Sequence, residues 1–195
     1  KEVKLGEARF LRGHFYFLLK ILFKHVPYVD ENTPVDEYET ISNRALTNDG
    51  LWQKIADDFQ YAVDHLPDVQ AETGRASRPA AAAYLAKTYL YKAYRQDDPE
   101  RHAVTGIDQA DLQKVLDNTE IVLSSGYTLE PDFAFNFLPG SYENGPEALF
   151  SVQYSKDDGT RFGRLNFSDL LSVPMGLGCC DFNKPSQSLV NAFRT

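Results

Sequence analysis

Cysteine is nearly absent from this 195-residue sequence, and the two that occur, Cys179 and Cys180, are neighbours. Adjacent cysteines can bridge only each other, through a strained ring, so no disulfide framework holds the fold and the pair is read as two free thiols. A cysteine-based metal site would want a second pair, and there is none. Basic charge is also short. Twenty Lys and Arg stand against 28 Asp and Glu, a net charge of -8. A phosphate-backbone partner needs clustered cations, so the balance argues against nucleic acid. Long apolar runs are missing too. The longest, Phe15 to Phe23, is interrupted by Lys20 and falls well short of the roughly 20 residues that cross a bilayer. Lys1 to Leu11 has the spacing of an amphipathic helix and no cleavage site, which places any targeting signal outside these residues.

The signatures of catalysis are lacking as well. His14, His25, His65 and His102 are scattered, with no two at metal-ligand spacing. There is no GxSxG elbow and no phosphate-binding glycine loop. Asp57 and Asp58 are adjacent on a helical pattern and point about 100 degrees apart, so they cannot converge on one glycosidic bond. Asp157-Asp158-Gly159 reads as a turn. These absences predict no catalytic residues, no cofactor and no enzyme. Asp30, Glu31, Asp36, Glu37 and Glu39 crowd one stretch. Hard oxygen ligands suit calcium, but their spacing matches no known loop, so they are read as a solvated acidic loop in which a structural calcium ion is possible and not predicted.

What the sequence does have is helical periodicity. Ala8, Leu11, Phe15, Leu18 and Leu22 recur at three-and-four spacing, and Phe10, Phe17 and Ile21 form a second row beside them. So wide a stripe predicts a helix wedged between neighbours and closed by Pro27. A second helix, capped by Asn48 or Asp49, carries Trp52, Ile55, Ala56, Phe59, Ala62, Val63 and Leu66 along one face and stops at Pro67. A third begins at an Ser77 N-cap with Pro79 in its first turn. Its Ala82, Leu85, Ala86, Tyr89, Leu90 and Ala93 mix small and large residues, which lets another helix approach closely. A fourth runs from about Asp111 to Ser125 with Leu112, Val115, Leu116, Val122 and Leu123 inward, and Gly126 supplies the left-handed residue that ends it.

From Tyr127 onward glycine and proline punctuate short apolar pieces. Ala148, Phe150, Val152 and Tyr154 alternate with their neighbours like a short strand, and a last helical run spans Ser186 to Phe193. Trp52-x2-Ile55-Ala56-x2-Phe59 followed by Ala86-x3-Leu90-x2-Ala93 has the interlocking spacing of a tetratricopeptide helix pair, with Trp52 in the core. The expected fold is mainly all-α: a tetratricopeptide-like α-α superhelix over residues 1–125, with a loop-rich part and a short strand over 126–195. Stacked helix pairs leave concave and convex faces that hold partners well and supply convergent catalytic clusters poorly.

Several segments, taken in order, resemble the SusD/RagB family of nutrient-binding lipoproteins. Gly6-Glu7-Ala8-Arg9-Phe10-Leu11-Arg12-Gly13-His14-Phe15-Tyr16-Phe17 with Val26-Pro27 is similar to that family's entry helix and its exit. Gly74-Arg75-Ala76-Ser77, with Ala80, Ala81, Leu85, Ala86, Tyr89, Leu90 and Tyr91, resembles its alanine-rich repeat helix. Ser125-Gly126-Tyr127-x-Leu129, Asn144-x2-Glu147-x2-Phe150-Ser151 and Pro185-Ser186-x2-Leu189-Val190-x-Ala192-Phe193 continue the match. The resemblance implies an internal fragment of a longer protein anchored on the outer face of the outer membrane by an N-terminal lipid outside this chain. It also implies capture of glycans, or in some members peptides, for a SusC-like TonB-dependent transporter. The alternative from the repeat pattern alone is a tetratricopeptide-type scaffold for another protein.

Sugar binding needs exposed aromatic faces with polar side chains beside them. Helical aromatics are committed to packing, so the loops supply the candidates: Tyr142, Phe162, Phe167 and Phe182, with Arg161, Asn144 and Asn166 as polar partners. Arg161 to Phe167 is the first choice, because Gly159 and Gly163 flank charged and aromatic residues in an irregular segment.

Overall fold

A computed structural model describes residues 1–96, 103–138, 140–152 and 186–194. The chain divides into two compact units, residues 1–151 and 152–195. The first unit is an array of helices: α1 (Glu2–Phe23), α2 (Asn48–His65), α3 (Arg78–Ala93) and α4 (Gln109–Leu123), each packed on the next. Two-residue strands β1 (Tyr94–Arg95) and β2 (Gly106–Ile107) pair antiparallel between α3 and α4. In the second unit a short helix, α5 (Gln187–Ala192), starts where Ser186 accepts a hydrogen bond from the Leu189 amide at 3.1 Å. None of the described helices is long and apolar enough to cross a membrane.

The helix boundaries follow from caps. The Ser77 hydroxyl accepts from the Ala80 amide with Pro79 in the first turn of α3, as expected. On α2 the cap is Thr47, which accepts from the Gly50 amide at 3.0 Å, in place of the expected Asn48 or Asp49. That choice frees both side chains: Asn48 accepts a hydrogen bond from Lys20, and Asp49 pairs with Arg95. The α4 helix starts earlier than expected because Asp108 caps it, accepting from the Asp111 amide at 3.0 Å. Gly126 has φ of +88°, the left-handed conformation predicted for it.

The first helix buries Phe10 and Phe17 of the narrower of its two apolar rows, while Ile21 of that row stays exposed. Gly6, Phe10, Gly13, His14, Phe17 and Lys20 face inward, while Leu11, Phe15, Leu18 and Leu22 of the wider row remain exposed. The reason is close approach. A Cβ on Gly13 would meet the Phe59 ring at 3.0 to 3.2 Å, and one on Gly6 would meet Leu66 at 3.1 Å, so the two glycines let α2 lie tight against α1. Phe10, Phe59, Tyr84 and Phe150 form an aromatic knot, with Phe59 and Tyr84 stacked at 5.1 Å between centroids and Phe10 edge-on to Phe150 at 4.8 Å. Each fully buried Phe of this kind contributes about 1.5 to 3 kcal/mol. The Tyr84 hydroxyl lies 2.9 Å from His14 Nδ1, and burial holds the His14 imidazole below its usual pKa.

Two further expectations are corrected. On α4 the inward row is Asp111, Val115, Asn118 and Val122, and Leu116 and Leu123 stand exposed. The face is polar because Asp111 receives Lys92 at 2.8 Å and Arg95 at 3.1 Å. Ala148 to Val152 forms no strand. A turn closed from Ala148 N to Gly145 O leads into a bend that drops Phe150 into the aromatic knot, and Tyr154 lies outside the described residues. Leu90, counted in the repeat pattern, is also exposed, whereas Ile55, Ala56, Phe59, Leu85 and Ala93 are fully buried as the pattern requires.

Candidate functional site

Of the residues singled out from sequence, Arg161, Phe162, Asn166, Phe167 and Phe182 lie outside the described residues. Tyr142 ends a short three-ten turn, Gly140–Tyr142, with its ring tilted against Phe135 at 4.7 Å. Asn144 has φ of +56° and lines a cavity of about 220 Å³ together with Gln70, Arg75, Tyr127 and Phe150. That volume is below the roughly 300 Å³ at which small-molecule pockets begin.

A larger site lies elsewhere, at the end of the array where α1 finishes, α2 begins and α3 finishes. Two adjoining cavities of about 400 and 470 Å³ share Asn48, Trp52, Tyr91 and Gln96 as lining residues. Trp52 and Tyr91 tilt together at 5.6 Å, and Tyr94 extends the aromatic wall. Trp52 itself is buried against Phe17, 5.6 Å away, as its helical neighbours predicted, while Tyr91 and Tyr94 are partly open. Lys20, 3% exposed, reaches this wall from α1. Its ammonium donates to the Lys24 carbonyl at 2.8 Å and to Asn48 Oδ1 at 2.5 Å, and sits 5.1 Å from the Trp52 ring centroid. Burial, with the nearby Lys24 charge, pushes its pKa down to about 8. Lys24 has φ of +60° and ψ of -51°, the centre of a turn closed from His25 N to Phe23 O at 2.6 Å. A non-glycine residue in that conformation is strained, and the Lys20 ammonium on its carbonyl helps to hold it.

Two ion-pair networks fix the frame around these cavities. Arg12 donates to both Asp58 oxygens, at 2.7 and 2.6 Å, and also pairs with Glu31, which accepts from Arg9 at 2.7 Å. The Tyr28 hydroxyl donates to Asp58 at 3.3 Å, so the acidic stretch is anchored through residue 31. The Arg12 hydrogen bond lowers the Glu31 carboxyl to about 2, while burial and Asp58 raise the Tyr28 hydroxyl. In the second network Lys92, Arg95, Asp49, Asp108 and Asp111 join the start of α2 to the end of α3 and the start of α4. The Asp111 amide, then Arg95, lowers Asp108 to about 2.

Sequence reasoning passed over Lys20, Asn48, Tyr91 and Gln96. The available signal was Lys20, a lone charge within an apolar helical stripe. Among the described residues no group of three or more His, Cys, Asp or Glu side chains is placed to hold a metal ion. Aromatic walls, amides and an ammonium grip a ligand; they do not assemble a nucleophile with its base.

The fold is a helical-repeat array with an aromatic-lined pair of cavities at one end. Residues 1–90 match the profile of a SusD-like family described as "Starch-binding associating with outer membrane". SusD-like protein P2 of Formosa agariphila is 29% identical over 154 residues, which are 76% of this chain and 27% of that protein. A SusD-like protein of Bacteroides fragilis has the same fold at a TM-score of 0.60 and 23% identity, over 78% of this chain and 27% of its own. A structure solved with a xylogluco-oligosaccharide matches at a TM-score of 0.59 and 25% identity, over 76% of this chain and 28% of that one. The chain is similar to SusD-like proteins in sequence and in fold, and it spans about a quarter of the length of these relatives.

Proposed function

We propose that this chain is part of a glycan-capturing protein on the outer surface of the outer membrane, lipid-anchored through residues outside the chain, which passes oligosaccharides to a SusC-like TonB-dependent transporter and performs no chemistry on them. The observation that carries the reading is the wall of exposed Tyr91 and Tyr94, backed by buried Trp52, with Asn48 and Gln96 beside it, in a chain whose residues 1–90 match a SusD-like family profile. Aromatic faces stack on the apolar faces of sugar rings, and amides answer the hydroxyls. A relative of the same fold was solved with a xylogluco-oligosaccharide, which supports a saccharide over a protein as the ligand class.

The test uses the full-length protein in affinity gels and calorimetry against a panel of neutral and charged polysaccharides and peptides. Retention by at least one glycan, weakened about fivefold or more by Tyr91→Ala because stacking of a sugar face on one aromatic ring contributes on the order of 1 kcal/mol, is the expected result. Silence across the whole panel defeats the reading. So does release of reducing ends from a retained glycan.

A further inference from the structure

The glycan-capture reading says nothing about charge on the sugar, and the cations around the Trp52 wall do. At the end of α1, Lys20, Lys24, His25 and Arg44 come together: the fields of Arg44, Lys20 and Lys24 all reach His25, and that of Lys24 reaches Lys20. This is a protein of net charge -8, yet among the described residues none of these four forms an ion pair, whereas Arg12, Lys92 and Arg95 each have a carboxylate partner. Lys20 is accounted for in part, because its ammonium satisfies the carbonyl at the C-terminus of α1, where positive charge is favoured. Lys24 is not. Lys24 lines the cavity of about 400 Å³, and its buried Nζ has no hydrogen-bond partner among the described residues. A buried ammonium left without an acceptor loses the full desolvation penalty of that group, so it is held where something supplies the missing oxygen.

We propose that this cavity takes the anionic group of an acidic saccharide, a carboxylate or sulfate ester received by Lys24 and Lys20, with the pyranose ring against Tyr91. This rests on the glycan-capture reading and narrows it to a substrate class. Charge-assisted hydrogen bonds from an ammonium to such oxygens are about twice as strong as neutral ones. The like charges that repel each other in the empty cavity become two donors to one anion.

The experiment is calorimetry on the full-length protein with tetragalacturonate, a sulfated carrageenan tetrasaccharide and uncharged cellotetraose, and the quantity compared is the acidic-to-neutral affinity ratio. Wild-type protein favours an acidic probe, and which of the two it favours tells carboxylate from sulfate ester. Lys24→Met lowers the ratio about tenfold, the worth of one charge-assisted hydrogen bond, and Lys24→Arg largely keeps it. Circular dichroism confirms that both variants fold. A ratio unchanged in folded Lys24→Met, or a wild-type preference for cellotetraose, overturns the inference and leaves the broader reading standing. Failure of every probe here, and of every glycan in the wider panel, removes both.

Discussion

At the scale of single residues, two glycines on one helix face separate space from propensity. Gly13 meets the face of the Phe59 ring, which is pinned by Phe10 and stacked on Tyr84. Gly13→Ala gains about 1 kcal/mol of helix propensity and loses about 1 to 3 kcal/mol to overpacking against a ring that cannot retreat. The expected net is a loss of about 1 kcal/mol in urea unfolding. Gly6→Ala meets one aliphatic side chain closely, Leu66 Cδ2 at 3.1 Å and Cγ at 3.3 Å, with His65 Cβ at an ordinary 3.7 Å. Leu66 ends in flexible aliphatic carbons and is not locked in a ring stack, so a shift of a few tenths of an ångström costs less there and the variant should lose less than Gly13→Ala or nothing; equal losses at both positions would contradict the packing argument. Asp58 is the matching case for charge. Its side chain is 2% exposed and carries both Arg12 bonds. Asp58→Ala should cost about 3 kcal/mol, the lower end for a broken buried pair because Glu31 stays on Arg12.

At the scale of elements, the loop holding Glu31 is fastened by charge, and its response to acid has a definite sign. The Glu31 carboxyl is lowered from 4.5 to about 2 in the folded chain by Arg12. Its contribution to stability is therefore complete above about pH 4.5, fades below it, and is gone once pH has fallen through about 2. Glu31→Gln should flatten the fall in urea midpoint between those values, and an unchanged acid slope would show that Arg12 and Arg9 do not hold the loop. The same elements show what a sequence can and cannot disclose. The α2 face and the Ser77 cap were legible because one face carries nearly all the apolar residues and Ser-x-Pro leaves one reading. On α1 both faces are apolar, and the choice between them was made by Gly6 and Gly13, which hydrophobic periodicity does not count. On α4 the inner face was invisible because Asp111 and Asn118 are polar, and only their partners Lys92, Arg95 and the Lys114 carbonyl make them interior. The cavity at Trp52 escaped notice for a related reason: Lys20, Asn48 and Tyr91 come from three helices, and no spacing within one of them announces the meeting.

At the scale of the whole molecule, the face that α1 does not bury becomes the next question. Leu11, Phe15, Leu18 and Leu22 lie along that face, with Phe15 60% and Leu22 72% exposed. A helix apolar on both sides is ordinarily packed on both, and a continuous apolar stripe on a surface drives association. This chain covers about a quarter of its relatives' length, so the stripe is bare in these residues. Residues 1–195 produced by themselves should accordingly associate as concentration rises, which sedimentation velocity will read as a growing weight-average coefficient. Phe15→Glu with Leu22→Glu should return the species to monomer while leaving the helical signal unchanged, because neither side chain touches the Phe10, Phe59 and Tyr84 knot on the opposite face. A wild-type chain that stays monomeric at high concentration and binds no hydrophobic dye would contradict the stripe as a driver of association.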